Sequence, residues 1–392
     1  MQTFREYISE ANLHLTHVAD LSLEGKKRAG EGIQFLEIIV DMLRGGNVSK
    51  KINITKKWDG APAVFCGTNP ENGKFFVGTK SVFNKTPKIN YTNADITKNH
   101  SGGLVPKLKS ALKHLKKLGI KGILQGDMLY SEGDLGTSKI EGDSFITFTP
   151  NTITYAVDAN SDLAKTINKS KMGIVFHTKY TGKDMQSLKA SFNVSRSDFG
   201  SSSSVWANDA SFKDTSGKST MTTGELKTIE KLISVSKSIV PKIKELDSKI
   251  SGLINIYINS KVRTGEYSFS AKEFIKFVDD KMEKSIVKLK TEAGQEKKRK
   301  KKLELLKQIK SKNKDINSIF NLNTALQKCV LFLVKKLQEI GSLRTFIKTK
   351  DGYRVTGDEG FVASDRVGGA IKLVDRLEFS RVNFNIDKNW SK

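Results

Sequence analysis

The sequence predicts a mixed α/β protein, an α+β arrangement of mainly antiparallel sheet with one large helical subdomain inserted into it. Three observations carry that expectation. Short runs rich in apolar and β-branched residues fill 52–180 and return after 345, and turn signals such as Asp59-Gly60, Asn72-Gly73 and Asp351-Gly352 punctuate them. Residues 224–345 instead hold few prolines or glycines and repeat Ile, Leu and Val at helical spacing. A sheet begun before residue 180 and completed after 345 brings residues far apart in the chain onto neighbouring strands.

In order, residues 1–46 read as an N-terminal helical segment. Phe4, Tyr7 and Ile8 form one apolar face, and the run Ile33 to Leu43 ends at Gly45-Gly46, a helix stop. Residues 47–195 open the sheet. Ile52 to Lys57 reads as a strand running into the Asp59-Gly60 turn, Ala63-Val64-Phe65 starts another, and the chain returns through Asn69 to Gly73 into Phe75-Phe76-Val77. Residues 104–118 repeat apolar positions at helical spacing with lysines opposite, closed by Gly119 and Gly122. Strands follow at Ile123 to Tyr130, Phe145 to Phe148, Ile153 to Val157 and Gly173 to Tyr180, with a short helix over 161–170 capped by Ser161 or Asp162. The Ser, Thr, Asp and Gly content of 196–223 predicts a flexible connection. The lysine-rich helical insertion occupies 224–345, and 346–392 completes the sheet with a hairpin about Asp351-Gly352.

Composition narrows the partners. A length of 392 residues allows two or three domains at about 100–200 residues each. The net charge of +25 and pI near 9.7 point to a polyanion, nucleic acid above all. No apolar run approaches the roughly 20 residues of a bilayer span, and Glu6 and Glu10 stand where a signal peptide is apolar, so a cytoplasmic protein without membrane contact is expected. Cys66 and Cys329 lie far apart with no histidine at zinc-site spacing, which sets aside a disulfide framework or structural zinc. His14 and His17 share a helical face with Glu10, a geometry open to a metal but more simply a polar helix face. The run Lys297, Lys298, Arg299, Lys300, Lys301 and Lys302 is a candidate phosphate-contacting stretch, a solvated helix or hairpin tip being the plainer reading.

Chemistry concentrates at Lys57-Trp58-Asp59-Gly60. It sets an amine beside a second cation, Lys56, a carboxylate and a flexible turn. A neighbouring cation and partial burial both favour the free amine, which is the nucleophilic form, so Lys57 is the candidate covalent residue. Asp127 sits inside an apolar strand, where a carboxylate is costly unless it is paired, binds a metal or points to solvent.

The order of these features resembles a known superfamily. Lys57-x-Asp59-Gly60, the carboxylate in LQGDML, the strand GIVFHTKY, EGFV at 359–362 and AIKLVDR at 370–376 resemble motifs I, III, IIIa, IV and V of the covalent nucleotidyltransferases, which include ATP-dependent DNA and RNA ligases and mRNA capping enzymes. The stretch KWDGAPAVFCGTNPENGKFFVGTKS also resembles proteins of large tailed bacteriophages, which would place the chain in the host cytoplasm. The likeness covers roughly 50–180 and 345–384. It implies a nucleotidyltransferase (ATP-grasp-like ligase) domain without the OB-fold that follows motif V in DNA ligases and capping enzymes.

The resemblance implies roles as well. Lys57 attacks the α-phosphate of ATP, Lys56 supplies charge beside it, Asp59 orients Lys57 and the sugar, and Gly60 admits the nucleotide. Lys80 takes the place of a cationic contact to the nucleotide or the end being joined, and Phe176 stacks on the base. Asp127 and Glu359 bind Mg²⁺, with Mn²⁺ as an alternative, and Lys372 neutralises the α-phosphate. Three departures stand out: Asp127 where glutamate is usual, His177 where an acidic residue is common, and a single Lys372 in motif V, for which Arg376 is the nearby substitute. The implied activity is polynucleotide ligation through lysyl-AMP, sealing a 5′-phosphate to a 3′-hydroxyl, on RNA rather than DNA. Transfer to another acceptor, an RNA cap or a protein, and a non-catalytic nucleic-acid-binding phage protein are the alternatives.

Overall fold

The structure is a computed structural model that describes residues 15–44, 52–211, 221–338, 343–349, 352–357, 360–365 and 370–385. After a 3-10 turn at Val18–Glu24 come α1 (Gly25–Leu43), β1 (Ile52–Lys57), β2 (Ala63–Thr68), β3 (Phe75–Gly78), α2 (Asn93–Asn99), α3 (Leu104–Leu115) and β4 (Ile123–Tyr130). Next are β5 (Gly136–Ile140), β6 (Asp143–Phe148), β7 (Ile153–Asp158), α4 (Asp162–Lys169), β8 (Met172–Thr181), β9 (Lys189–Ser191) and β10 (Val205–Asp209). Five helices follow: α5 (Thr223–Ile239), α6 (Ser248–Arg263), α7 (Ala271–Val287), α8 (Glu292–Ser311) and α9 (Asn313–Gln338). Strands β11 (Arg344–Thr349), β12 (Gly352–Val355), β13 (Gly360–Asp365) and β14 (Ala370–Leu373) lead into α10 (Arg376–Asn385).

The strands form three sheets, in the orders β1-β13-β14, β10-β8-β4-β2-β3 with β9 beside β8, and β12-β11-β7-β6-β5. Among the described residues all strand pairings are antiparallel except β10 on β8. Strands on either side of the helical block meet: β11 pairs with β7, and β13 with β1. The chain is thus a mixed α/β protein of mainly antiparallel sheet.

The helices are delimited by chemistry visible in the sequence. Thr222 and Glu225 form a capping box at α5, Asp247 caps α6, Ser270 caps α7 and Ser161 caps α4, each side chain accepting from a backbone N–H of the first turn. The apolar stripe of α1, including Leu36 and Ile39, packs with Ile229 and Ile233 of α5, Leu326, Val330 and Leu333 of α9, and Phe361, Ala363, Ile371 and Leu373 of the smallest sheet. Each such fully buried Leu, Ile, Val or Phe side chain contributes about 1.5–3 kcal/mol. A second helical core joins Ile254, Tyr257 and Ile258 of α6 to Phe274, Ile309 and Phe320.

Two expectations change. The N-terminal helix and the inserted helices share one core with β13 and β14, because the stripe on α1 needs α5, α9 and the sheet to cover it. The stretch 196–223, expected as a flexible connection, contains β10 within its described part. There Val205 is buried and Trp206 stacks on Tyr130 at 6.2 Å, so two apolar residues outweigh the hydroxyl-rich composition around them. The residues beyond that strand also join sheets, since Lys56 N donates to Ala210 O and Ala210 N to Phe176 O, both at 2.8 Å.

Candidate functional site

A cavity of about 320 Å³ lies between the three-stranded sheet and the six-stranded one. Its cations come from distant parts of the chain. On β1-β13-β14, Thr55, Val362 and Lys372 occupy one row across the strands, and all three line the cavity. Period-two alternation sends the intervening Phe361, Ala363, Ile371 and Leu373 to the opposite face, into the helical core. Lys57 ends β1 opposite Gly360, and its Nζ lies over the Phe379 ring at 5.4 Å. Lys56 also lines the cavity, with its Nζ 4.8 Å from the centre of the Trp58 ring. Lys80, on the 3-10 turn Lys80–Phe83 capped by Thr79, brings the lining lysines among the described residues to four against one carboxylate, Asp127, a charge balance suited to a polyphosphate.

Asp59 and Gly60 turn away from the cavity, whereas Trp58 between Lys57 and Asp59 lines it. Asp59 is 3% exposed and braces the start of β7. Its Oδ1 accepts from Asn151 Nδ2 at 2.6 Å, and its Oδ2 from the backbone N–H groups of Thr152 at 2.7 Å and Ile153 at 2.6 Å. Burial raises its pKa above the ordinary carboxylate value, against these hydrogen bonds and the charge of Lys57, which act to lower it. Gly60 lies against β4, where a Cβ would run into the Asp127 side chain, and the next peptide N–H, Ala61, donates to Met128 O at 2.9 Å. The expectation that Asp59 orients the sugar and Gly60 admits the nucleotide is therefore corrected. Both side-chain positions serve to hold the Lys57 loop onto β4 and β7.

On β4 and β8 a β-bulge decides which side chains reach the cavity. Gln125 pairs with Thr178 but Gly126 with Phe176, leaving His177 as the extra residue. Before the bulge, Met172, Ile174 and Phe176 face the core under α3, beside Leu108, Ala111 and Leu115. Beyond it the parity reverses, and His177, Thr178 and Tyr180 line the cavity. Phe176 is 0% exposed and packs on Phe199 at 5.0 Å, so its expected place against a base is corrected to a place in the core. The aromatic rings that do line the cavity are Trp58, Phe65, Tyr180 and Phe192, which the sequence motifs did not single out. Asp127 and Gln125 alternate onto the same wall, with Gln125 Oε1 accepting from the Tyr180 hydroxyl at 2.8 Å.

The other predicted residues fall as follows. Arg376 is buried and donates to Asp20 at 2.6 Å and Asn259 at 2.8 Å, so it ties the N-terminal turn to the helical insertion and is not a second cavity cation. His17 bridges β14 at Lys372. Burial, followed by the charges of Arg376, Lys372 and Lys57, holds its pKa well below the ordinary histidine value. Glu359 and His14 lie outside the described residues. In the basic run of α8, Lys302 pairs with Asp279 at 2.6 Å and Glu283 at 2.7 Å, Lys300 with Glu296 at 3.3 Å, and Lys298 donates to Ser285 O at 3.3 Å. Lys297, Arg299, Lys300 and Lys301 are exposed.

Among the described residues no group of three or more His, Cys, Asp or Glu is placed to hold a metal, and no helix is long and apolar enough to cross a membrane. Asp127 is the described carboxylate that fits Mg²⁺, which keeps several waters and is commonly held by one or two carboxylates plus substrate phosphates.

Fold and cavity together define a class, a mixed α/β protein with a cationic, aromatic-walled cleft at the junction of two sheets. Over residues 12–388 the chain matches DUF6267, a family of unknown function, and it belongs to that family. No curated protein and no solved structure matches it.

Proposed function

We propose that the protein is an ATP-dependent polynucleotide ligase that works through a covalent lysyl-AMP at Lys57. The observation that carries this reading is the convergence of Lys57, Lys372 and Lys80 with Asp127 on one cavity, from four separate segments of the chain. That convergence follows the motif order of the covalent nucleotidyltransferases.

In this reading the Lys57 amine attacks the α-phosphate of ATP. A P–N bond forms as the P–O bond to pyrophosphate breaks, and Lys372 and Lys80 offset the charge that develops on the phosphate oxygens. The aromatic wall takes the base, and Asp127 would hold a divalent cation that would offset the charge of the phosphates. AMP then passes to a 5′-phosphate, and a 3′-hydroxyl displaces it to form the phosphodiester. The chain's charge of +25 supports a nucleic-acid substrate, and the likeness to bacteriophage proteins favours RNA.

The test is incubation with α-labelled ATP and Mg²⁺, followed by denaturing electrophoresis. Covalent label is expected on the wild-type chain and none on Lys57→Ala. Label that survives in the variant, or never forms in the wild type, refutes the proposal. Label without joining of RNA or nicked duplex ends moves the acceptor elsewhere, to an RNA cap or a protein.

A further inference from the structure

The residue at the bulge of β8, His177, brings to the cavity an imidazole that faces a carboxylate. His177 Nε2 lies 3.7 Å from Asp127 Oδ2, beyond hydrogen-bonding range. His177 Nδ1 lies 2.7 Å from Thr178 Oγ1, and the Thr178 side chain belongs to a residue only 3% exposed, which fixes the ring. In the tautomer whose Nδ1–H donates to that hydroxyl, Nε2 presents a lone pair toward a second acceptor, Asp127. The histidine and aspartate side chains are 27% and 21% exposed, open to an ion from the cavity yet partly shielded from water. In that tautomer the two acceptors repel unless a cation lies between them.

We propose that Asp127 and His177 form a two-ligand site for a first-row transition-metal dication, held in preference to Mg²⁺. The proposal names the metal for the cavity given above to nucleotidyl transfer, and it rests on that reading only for the ion's use, since the ligand geometry stands by itself. With metal–ligand bonds of about 2.1 Å, neighbouring ligands lie about 3.0 Å apart in an octahedron and about 3.4 Å in a tetrahedron. Small side-chain rotations bring the observed 3.7 Å into that range. In that tautomer the hydrogen bond from the far ring nitrogen is the support that metal-bound imidazoles generally have. Mg²⁺ favours oxygen ligands and sheds water reluctantly, whereas imidazole nitrogen is a good ligand for transition ions, so His177 adds affinity chiefly for the latter. Waters or phosphate oxygens complete the coordination.

The experiment titrates Mn²⁺ into histidine-labelled full-length protein without nucleotide, following paramagnetic broadening by NMR and affinity by calorimetry. The chain has five histidines, so the other four are internal controls. The His177 resonance is expected to broaden first. His177→Gln and Asp127→Asn are each expected to weaken Mn²⁺ binding about tenfold, on the scale of losses seen when metal-site support is removed. His177→Gln should change Mg²⁺ affinity by no more than about twofold. Equal broadening of all histidines, Mn²⁺ affinity unchanged in folded His177→Gln, equal loss of both ions, or no binding to the wild type overturns the site. Circular dichroism establishes folding, and Asp127→Asn serves if His177→Gln does not fold. Because nucleotide is absent, the outcome is independent of whether ATP labels Lys57.

Discussion

Replacing Asp59 tests whether the carboxylate beside Lys57 is a brace or a ligand for substrate. In Asp59→Ala, the backbone N–H groups of Thr152 and Ile153 lose their shared acceptor while buried. Asn151 is only partly buried and can turn its amide to water. Two unsatisfied buried donors at about 1–3 kcal/mol each give a loss of about 4 kcal/mol. In Asp59→Asn the amide oxygen can keep both backbone donors, and Asn151 can flip to accept from the new NH₂ group, for a loss of about 1 kcal/mol. Urea unfolding of the three proteins measures both values. The pH dependence gives a second reading. Burial raises the Asp59 pKa in the folded state, so its contribution is full below the unfolded value and is lost as pH rises through the folded one. Relative to Asp59→Asn, the wild type should therefore gain stability as pH falls from neutrality through the carboxylate range. Equal damage from Ala and Asn, or an Ala variant within about 1 kcal/mol of wild type, refutes the bracing role.

Further outcomes follow from the same geometry. Phe176→Ala should cost about 3–5 kcal/mol of stability, measured by denaturation, with little change in ATP affinity for whatever remains folded. Phe192→Ala should instead weaken ATP binding by about 1–3 kcal/mol, the worth of one aromatic stack, as read by calorimetry. Gly60→Ala should lower thermal stability, because its Cβ meets the Asp127 side chain. Neither cysteine should react with a thiol reagent in the native protein: Cys66 and Cys329 are buried, and burial pushes the Cys329 thiol up to about 11. Reversing Lys297, Arg299 and Lys301 to Glu should reduce the salt dependence of RNA binding by about 0.7 in slope per lost phosphate contact. Lys302→Ala should leave that slope nearly unchanged, since its charge is already paired with Asp279 and Glu283.

Much of the framework is legible along the chain because its causes are local. The Ser161 cap, the strand of 123–130, the hairpin pairing of β11 with β12 and the helical spacing after 224 each depend on residues a few positions apart. Lys57 and Lys372 were also readable, one at a strand end before a turn and the other flanked by apolar alternation. Whether a strand residue faces the cavity is a different kind of fact. Thr178 and Tyr180 reach it, although Phe176 of the same parity faces the core, because β8 gains one residue against β4, and that mismatch exists only once the two strands pair. Asp59 and Gly60 likewise took their roles from β7 and β4, which their own neighbours in sequence do not announce. The apolar stripe of α1 was visible in the sequence, but its partners lie near the far end of the chain. Local pattern thus determined the elements and marked Lys57 as the candidate nucleophile. Tertiary pairing decided which faces met, because a side chain's surroundings are set by the register and packing of segments that sequence keeps apart.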